Sequence, residues 1–201
     1  MLSTTLSLLP AGIINGLMFG AIYALVALGL TLIYGVLHII NFAHGAMLMM
    51  ALYSAYFLFK ILNIDPYIAI LIVTPASYIF GYTIYRWGIG KLSGGRDQNI
   101  LLITLGLSII LENSALFFFT GDQQTISLPY SYESFDLGFL YLSYPKLISF
   151  VAALLICVLL WILMALTDLG KAIRAVAKER EGARLVGIDV EHVFAVTFGI
   201  G

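Results

Sequence analysis

Apolar residues in this chain run in blocks of about 20 separated by short polar stretches, and a helix needs roughly 20 apolar residues to cross the hydrocarbon core of a bilayer. The pattern predicts five spans, at about residues 12–34, 41–62, 66–87, 99–120 and 146–167. The first two fall within residues 1–59, which contain no Lys, Arg, Asp or Glu. Their one polar interruption is Gly35-Val-Leu-His38-Ile-Ile-Asn41-Phe-Ala-His44-Gly45. Pro66, at the head of the third block, suits the first position of a helix, where its missing N–H costs nothing. A cleaved signal peptide is a poor match to the start, which lacks a basic region and stays apolar for too long. A charged stretch over 168–191 is followed by an apolar run over 192–201. Ten helical residues cover about 15 Å, half the hydrocarbon thickness. That run therefore reads as the start of a sixth span, and the chain is expected to be a C-terminally truncated piece of a longer protein.

Composition narrows the class. Of 201 residues, 61% are hydrophobic and 10% charged, against about 25% charged in an ordinary soluble domain. So much apolar material with a net charge of −1 excludes disorder. Ten Lys and Arg against eleven Asp and Glu speak against a nucleic-acid partner. A single cysteine, Cys157, excludes a disulfide framework and a thiolate metal site. The three histidines, at 38, 44 and 192, lack metal-ligand spacing. The sequence carries no HExxH, no nucleophile elbow and no paired carboxylates, so an enzyme is not expected and no metal or cofactor is called for. The fold class that remains is all-α, a polytopic transmembrane helical bundle forming one domain over 1–201.

Orientation follows from the basic residues. Arg86, Lys91 and Arg96 flank the linker over 88–98, and Lys171, Arg174, Lys178, Arg180 and Arg184 lie in 168–191. Two spans separate these linkers, so they share a side, which the positive-inside rule makes cytoplasmic. The N-terminus and the acidic, aromatic segment 121–145 then lie outside. That segment carries Tyr130, Tyr132, Phe135, Phe139, Tyr141 and Tyr144, the composition of an interfacial aromatic belt or of a docking surface for an external partner.

Several motifs are candidates for function. Gly12, Gly16, Gly20 and Ala24 recur every four residues. They form a small-residue stripe that suits close helix packing within the bundle, or a face of a substrate pathway. Asn41 either caps the second helix or, with His44, lines a polar path at membrane depth. Glu112 is the one acidic residue inside a span. Burying it costs about 3 kcal/mol on insertion scales, which 13 Leu, Ile and Phe residues at about −0.5 each outweigh. It is expected to face protein, as an interhelical hydrogen-bond partner assisted by Asn113 or Ser114, or as a proton or cation site. Leu92-Ser93-Gly94-Gly95-Arg96 resembles the signature loop of ABC-transporter ATPases, but no phosphate-cradling Gly-x4-Gly-Lys-Ser/Thr accompanies it. It reads as a Gly-Ser turn with basic flanks.

The run from Asp168 to Ile188 predicts one helix, capped by Thr167 or Asp168 and ended by Gly187. Ala172, Ala175, Gly182, Ala183 and Val186, with Glu179 among them, make a small-residue face beside a basic face of Lys171, Arg174 and Lys178. Such a helix fits the groove of a partner or lies on anionic lipid.

Within this run, Glu181-Gly182-Ala183…Gly187-Ile188 resembles the EAA-type coupling motif of ABC importer permeases, with Gly182 in place of the usual alanine. Gly29-Leu-Thr-Leu-Ile-Tyr-Gly35, Asn41-Phe-Ala-His-Gly45 and Asp168-Leu-Gly-Lys-Ala-Ile-Arg174-Ala-Val-Ala177 resemble the branched-chain amino-acid permeases, the H-type inner-membrane subunit. The resemblance covers essentially the whole chain. It implies a translocation path for leucine, isoleucine or valine in a bacterial or archaeal plasma membrane, with 168–191 as the cytoplasmic coupling segment. The implied partners are a second homologous permease, two cytoplasmic ATP-binding subunits, an external substrate-binding protein and membrane lipid. Arg174, Glu179, Glu181, Gly182, Ala183 and Gly187 would meet the ATPase. Gly12, Gly16, Asn41, His44 and Glu112 are the candidates for the path. Urea and amide permeases look alike, and an ion-coupled carrier or channel using Glu112 is the alternative of another class.

Overall fold

Five helices long and apolar enough to cross a membrane carry most of the described chain, which comprises residues 2–93, 97–128, 134–136 and 141–201 of a computed structural model. They are α1 (Leu2–Leu37), α2 (His44–Leu62), α3 (Pro66–Thr83), α5 (Asp97–Phe119) and α6 (Tyr144–Leu166). Helix α3 continues through a π-helical turn, Ile84–Ile89, into the four-residue α4 (Gly90–Ser93). Three short helices follow α6: α7 (Asp168–Lys178), α8 (Arg180–Leu185) and α9 (Val190–Ile200). Outside the helices, β1 (Ser134–Asp136) pairs antiparallel with β2 (Tyr141–Ser143), Ser134 opposite Ser143. The chain is an all-α, multi-pass integral membrane protein with this one small ribbon among its described residues.

Local chemistry sets the helix ends. Asn63 takes a left-handed conformation, φ 54°, and closes α2 with its N–H on the Phe59 carbonyl. Asp65 then opens α3 by accepting the Tyr67 N–H at 2.9 Å, with Pro66 behind it. Helix α2 begins at His44, three residues later than hydropathy alone places the second span. The reason is local: the chain leaves α1 at His38 with φ 58° and stays non-helical through Ala43.

The residues group into two compact units. The first comprises residues 1–28 and 127–166. Here Lys146 on α6 donates to Asn15 Oδ1 on α1 at 3.1 Å and lies 4.9 Å from the centre of the Phe19 ring. The cation thus keeps an amide oxygen and a π face, which offsets its removal from water.

The second unit comprises residues 29–126 and 167–201 and holds the best-packed element, α9. Val193 through Phe198 are all buried, against α3, the π-helical turn and α7. The Thr197 hydroxyl donates to the Val193 carbonyl at 2.8 Å, so its burial strands no donor. At the other end of this unit, Tyr53 and Phe57 of α2 each stack within 4.7 Å of Phe119, and the Tyr56 hydroxyl donates to Gln124 at 2.7 Å. This aromatic cluster closes the unit where only the 121–145 segment suggested one. Of that segment's predicted belt, Tyr130, Tyr132 and Phe139 lie outside the described residues, as do Gly94 to Arg96 of the Gly-Ser turn.

Candidate functional site

The charged segment after α6 forms a structured rim. Thr167 is extended and its hydroxyl accepts the Gly170 N–H at 3.0 Å, capping α7. Gly170, Ile173 and Val176, spaced by three, turn inward, while Lys171, Arg174 and Lys178 stay exposed. The expected single helix is in fact two. At Glu179 the backbone becomes extended, φ −156° and ψ 105°, and the Glu179 carboxylate accepts the Glu181 N–H to open α8. A side chain that can cap its own successor competes with helix continuation, and Gly182 lowers the cost of breaking by weakening the helix.

Helix α8 closes as the motif requires. Gly187 has φ 87°, a conformation that needs glycine. Its N–H donates to the Arg184 carbonyl and the Ile188 N–H to the Ala183 carbonyl, both at 3.0 Å, the paired bonds of a Schellman turn. Arg184 pairs with Glu181 at 3.0 Å across exposed surface. Asp189 then caps α9 by accepting the His192 N–H at 3.0 Å.

The face offered outward differs from the one that small-residue spacing predicts. Arg174, Glu179, Glu181 and Gly187 are exposed and Gly182 is half-buried. Ala183 is buried against its own chain, because the Schellman turn folds that side of α8 inward. The apolar groups that protrude are Leu185 and Val186, 88% and 77% exposed. Helical spacing alone did not single out Leu185, since it assumed an unbroken α7–α8.

A second residue that spacing did not single out ties this rim to the bundle. Arg180, the first residue of α8, donates through Nη2 to the Leu37 carbonyl at the end of α1. Its guanidinium carbon lies 5.2 Å from the centre of the Phe194 ring on α9. The C-terminal end of α1 and the rim are therefore on the same side. The π-helical turn lies there too: Tyr82, one turn before it, hydrogen-bonds His192 at 3.2 Å. The two basic linkers share a side, as their charge implies.

The break between α1 and α2 brings Asn41 and His44 together. Asn41 does not cap α2. Ala43 occupies that position without a side-chain bond, and Asn41 Oδ1 instead accepts the Ala43 N–H at 3.0 Å, one step earlier. Asn41 is 4% exposed and its amide nitrogen has no hydrogen-bond partner among the described residues. The Phe42 N–H points to Thr104 Oγ1 on α5 at 3.4 Å. A methyl placed on Gly29 would meet His44 Cε1 at 3.3 Å. Gly29 lies eight residues before the end of α1, about 12 Å along the helix. The His44 side chain at the start of α2 thus packs beside Gly29, about two turns before α1 ends.

Of the remaining path candidates, Glu112 lies away from this break along α5. Glu112 is exposed and its partner is in its own helix: the Ser108 hydroxyl donates to it at 2.8 Å. Asn113 gives its amide to the Ile109 carbonyl at 2.7 Å. Both are i,i+4 bonds, which Ser and Asn make readily inside a helix, and no interhelical bond to Glu112 is found among the described residues. Eight residues along α5, about 12 Å, separate Glu112 from Thr104. Gly12 and Gly16 belong to the first unit and are exposed, with no described atom within 4 Å of a methyl placed on either. Among the described residues, no three His, Cys, Asp or Glu groups cluster as metal ligands would.

Comparison with known proteins matches this architecture to one family. The chain is 32% identical over 204 aligned residues to the high-affinity branched-chain amino acid transport system permease protein BraD of Pseudomonas aeruginosa, an alignment covering 94% of the chain and 66% of BraD. It is 28% identical to the corresponding LivH of Salmonella typhimurium, covering 93% of the chain and 65% of LivH. A probable LivH of Methanocaldococcus jannaschii is 29% identical, covering 88% of the chain and 58% of that protein. The chain thus spans just under two thirds of the length of these relatives. No solved structure matches it. Residues 12–201 match the family model described as branched-chain amino acid transport system / permease component, and the chain belongs to that family.

Proposed function

We propose that this chain is a membrane-spanning permease subunit of an ATP-driven importer in a bacterial or archaeal plasma membrane, and that it forms part of the path for branched-chain amino acids. It has no chemistry of its own to perform. ATP is hydrolysed by two separate cytoplasmic subunits, substrate is delivered by an external binding protein, and a second, similar permease completes the path. The α7–α8 rim docks in the ATPase groove through Arg174, Glu179, Glu181 and Gly187. Asn41 and His44 are the preferred path residues among the five considered, a reading supported by their position at a helix break packed against α1 and α5.

The observation that carries this reading is the rim. Two short capped helices display exposed charge beside protruding Leu185 and Val186, and an apolar pair in that setting is stabilised by a partner that covers it. The test is Glu181→Lys in the complex assembled with its ATP-binding subunits. We expect co-purification of those subunits and amino-acid uptake to fall together. Uptake and co-purification equal to wild type would refute the coupling assignment. Competition of uptake by leucine, isoleucine and valine against urea and short amides identifies the substrate class.

A further inference from the structure

We propose that Arg180 is the positioning residue through which movement of the α7–α8 rim reaches the break between α1 and α2. This rests on the coupling reading above and adds the internal half of the linkage.

Arg180 sits where three elements can be held at once. It follows directly on the extended Glu179, so it is the first residue of the rim to move with α8 rather than α7. Its guanidinium donates to the Leu37 carbonyl. The last carbonyls of any helix lack intrahelical donors and carry the negative end of the helix dipole, so a cation there is favoured twice over. The same guanidinium stacks over Phe194, and Phe194 in turn packs edge-on to Tyr85 of the π-helical turn, 6.1 Å between ring centres. A planar, five-donor guanidinium can bond a carbonyl in its plane while stacking flat on a ring, a fixed geometry that the compact, rotatable ammonium of lysine does not reproduce.

The point it grips is the point at which α1 stops. Leu37 is the last helical residue and His38 follows in the left-handed region, φ 58°. A non-glycine residue held there is strained and persists only where the surroundings hold it. Beyond it lies Asn41, buried with an amide nitrogen unpartnered among the described residues. A buried donor without an acceptor is costly, so the break is held in an arrangement that a small displacement could exchange for one in which that amide is bonded. Displacing α8 shifts Arg180, hence Leu37, hence the segment that carries Asn41 and His44.

The test uses the complete transporter, with ATP-binding subunits, second permease and binding protein, reconstituted in proteoliposomes. The quantity read is substrate taken up per ATP hydrolysed. A merely structural defect lowers both rates together and leaves this ratio unchanged. For Arg180→Ala, which removes bond and stack, we expect the ATP-binding subunits to stay bound and the ratio to fall about tenfold. Arg180→Lys, which keeps the charge but not the geometry, should lower the ratio about fivefold, and Phe194→Leu about threefold. A ratio within twofold of wild type in Arg180→Lys overturns the proposal, as does a parallel loss of both rates in that variant. Should Arg180→Ala not assemble, Arg180→Lys and Phe194→Leu decide. If Glu181→Lys severs the ATPase while the Arg180 variants keep a normal ratio, the proposal fails and the coupling reading stands. If Glu181→Lys has no effect at all, the coupling reading itself fails.

Discussion

Glycines at two places in this chain behave in opposite ways. Gly12, Gly16 and Gly20 recur every four residues along α1, yet a methyl placed on any of them meets no described atom within 4 Å. Gly29, Gly81 and Gly199 follow no period, yet each marks a place where two backbones touch. A methyl on Gly199 would come 2.9 Å from the Tyr78 carbonyl oxygen, and one on Gly81 would come 3.1 Å from Gly199 Cα. Spacing reveals that a helix has a smooth face; it does not reveal what lies against that face. Helix α5 repeats the lesson with polar residues. Thr104 is fully buried and meets Phe42 of the α1–α2 break, while Glu112, two turns on, is exposed and accepts from Ser108 of its own helix.

The sharpest way to break this comparison is Gly199→Val. The branched side chain must displace a backbone oxygen and the Tyr78 ring, and overpacking of this kind costs about 1–3 kcal/mol. The expected result is a clear drop in thermal unfolding temperature in detergent, and an unchanged temperature would mean that α9 does not seat on α3. Next in size is Thr104→Val, which keeps the shape but removes the acceptor facing Phe42. A loss of about 1 kcal/mol is expected, with faster hydrogen exchange at the Phe42 amide as its local signature.

Smaller effects are expected at the open positions. Glu112→Gln retains an oxygen for the Ser108 hydroxyl, so stability should change by less than about 0.5 kcal/mol. ATP-driven uptake should stay within about twofold of wild type, a free-energy change of less than about 0.5 kcal/mol. Abolished uptake that tracks an ion gradient would instead make Glu112 an ion site. Gly16→Ala should leave the fold of the chain untouched, since the added methyl meets nothing. Size-exclusion of the assembled permease pair then sharpens the comparison: a lost pair would mean that the stripe is covered by another subunit rather than by this chain.

Much of this protein was legible without coordinates because bilayers impose a severe rule. Apolar blocks of the right length, flanked by Pro66, Asn63 or Thr167, form helices almost wherever they occur, because no other backbone state is satisfied in lipid. Gly187 was legible for an equally local reason, as one residue that must adopt positive φ to end a helix. The break at Glu179 was not, since an unbroken helix over the same residues has acceptable propensity. The break is accompanied by an inward turn of Arg180 toward a carbonyl 143 residues away in sequence.

Hydropathy, charge bias and caps, each a property of neighbouring residues, were thus enough to determine a multi-pass membrane protein with five membrane-length helices among the described residues and a charged segment after the last of them. Only the tertiary structure decided which of the described glycines meet another backbone, that the start of α2 packs beside Gly29 rather than at the end of α1, and that Arg180 joins α8 to the end of α1. Those outcomes depend on contacts between residues far apart in the chain, and a periodic pattern carries no information about which distant face will come to meet it.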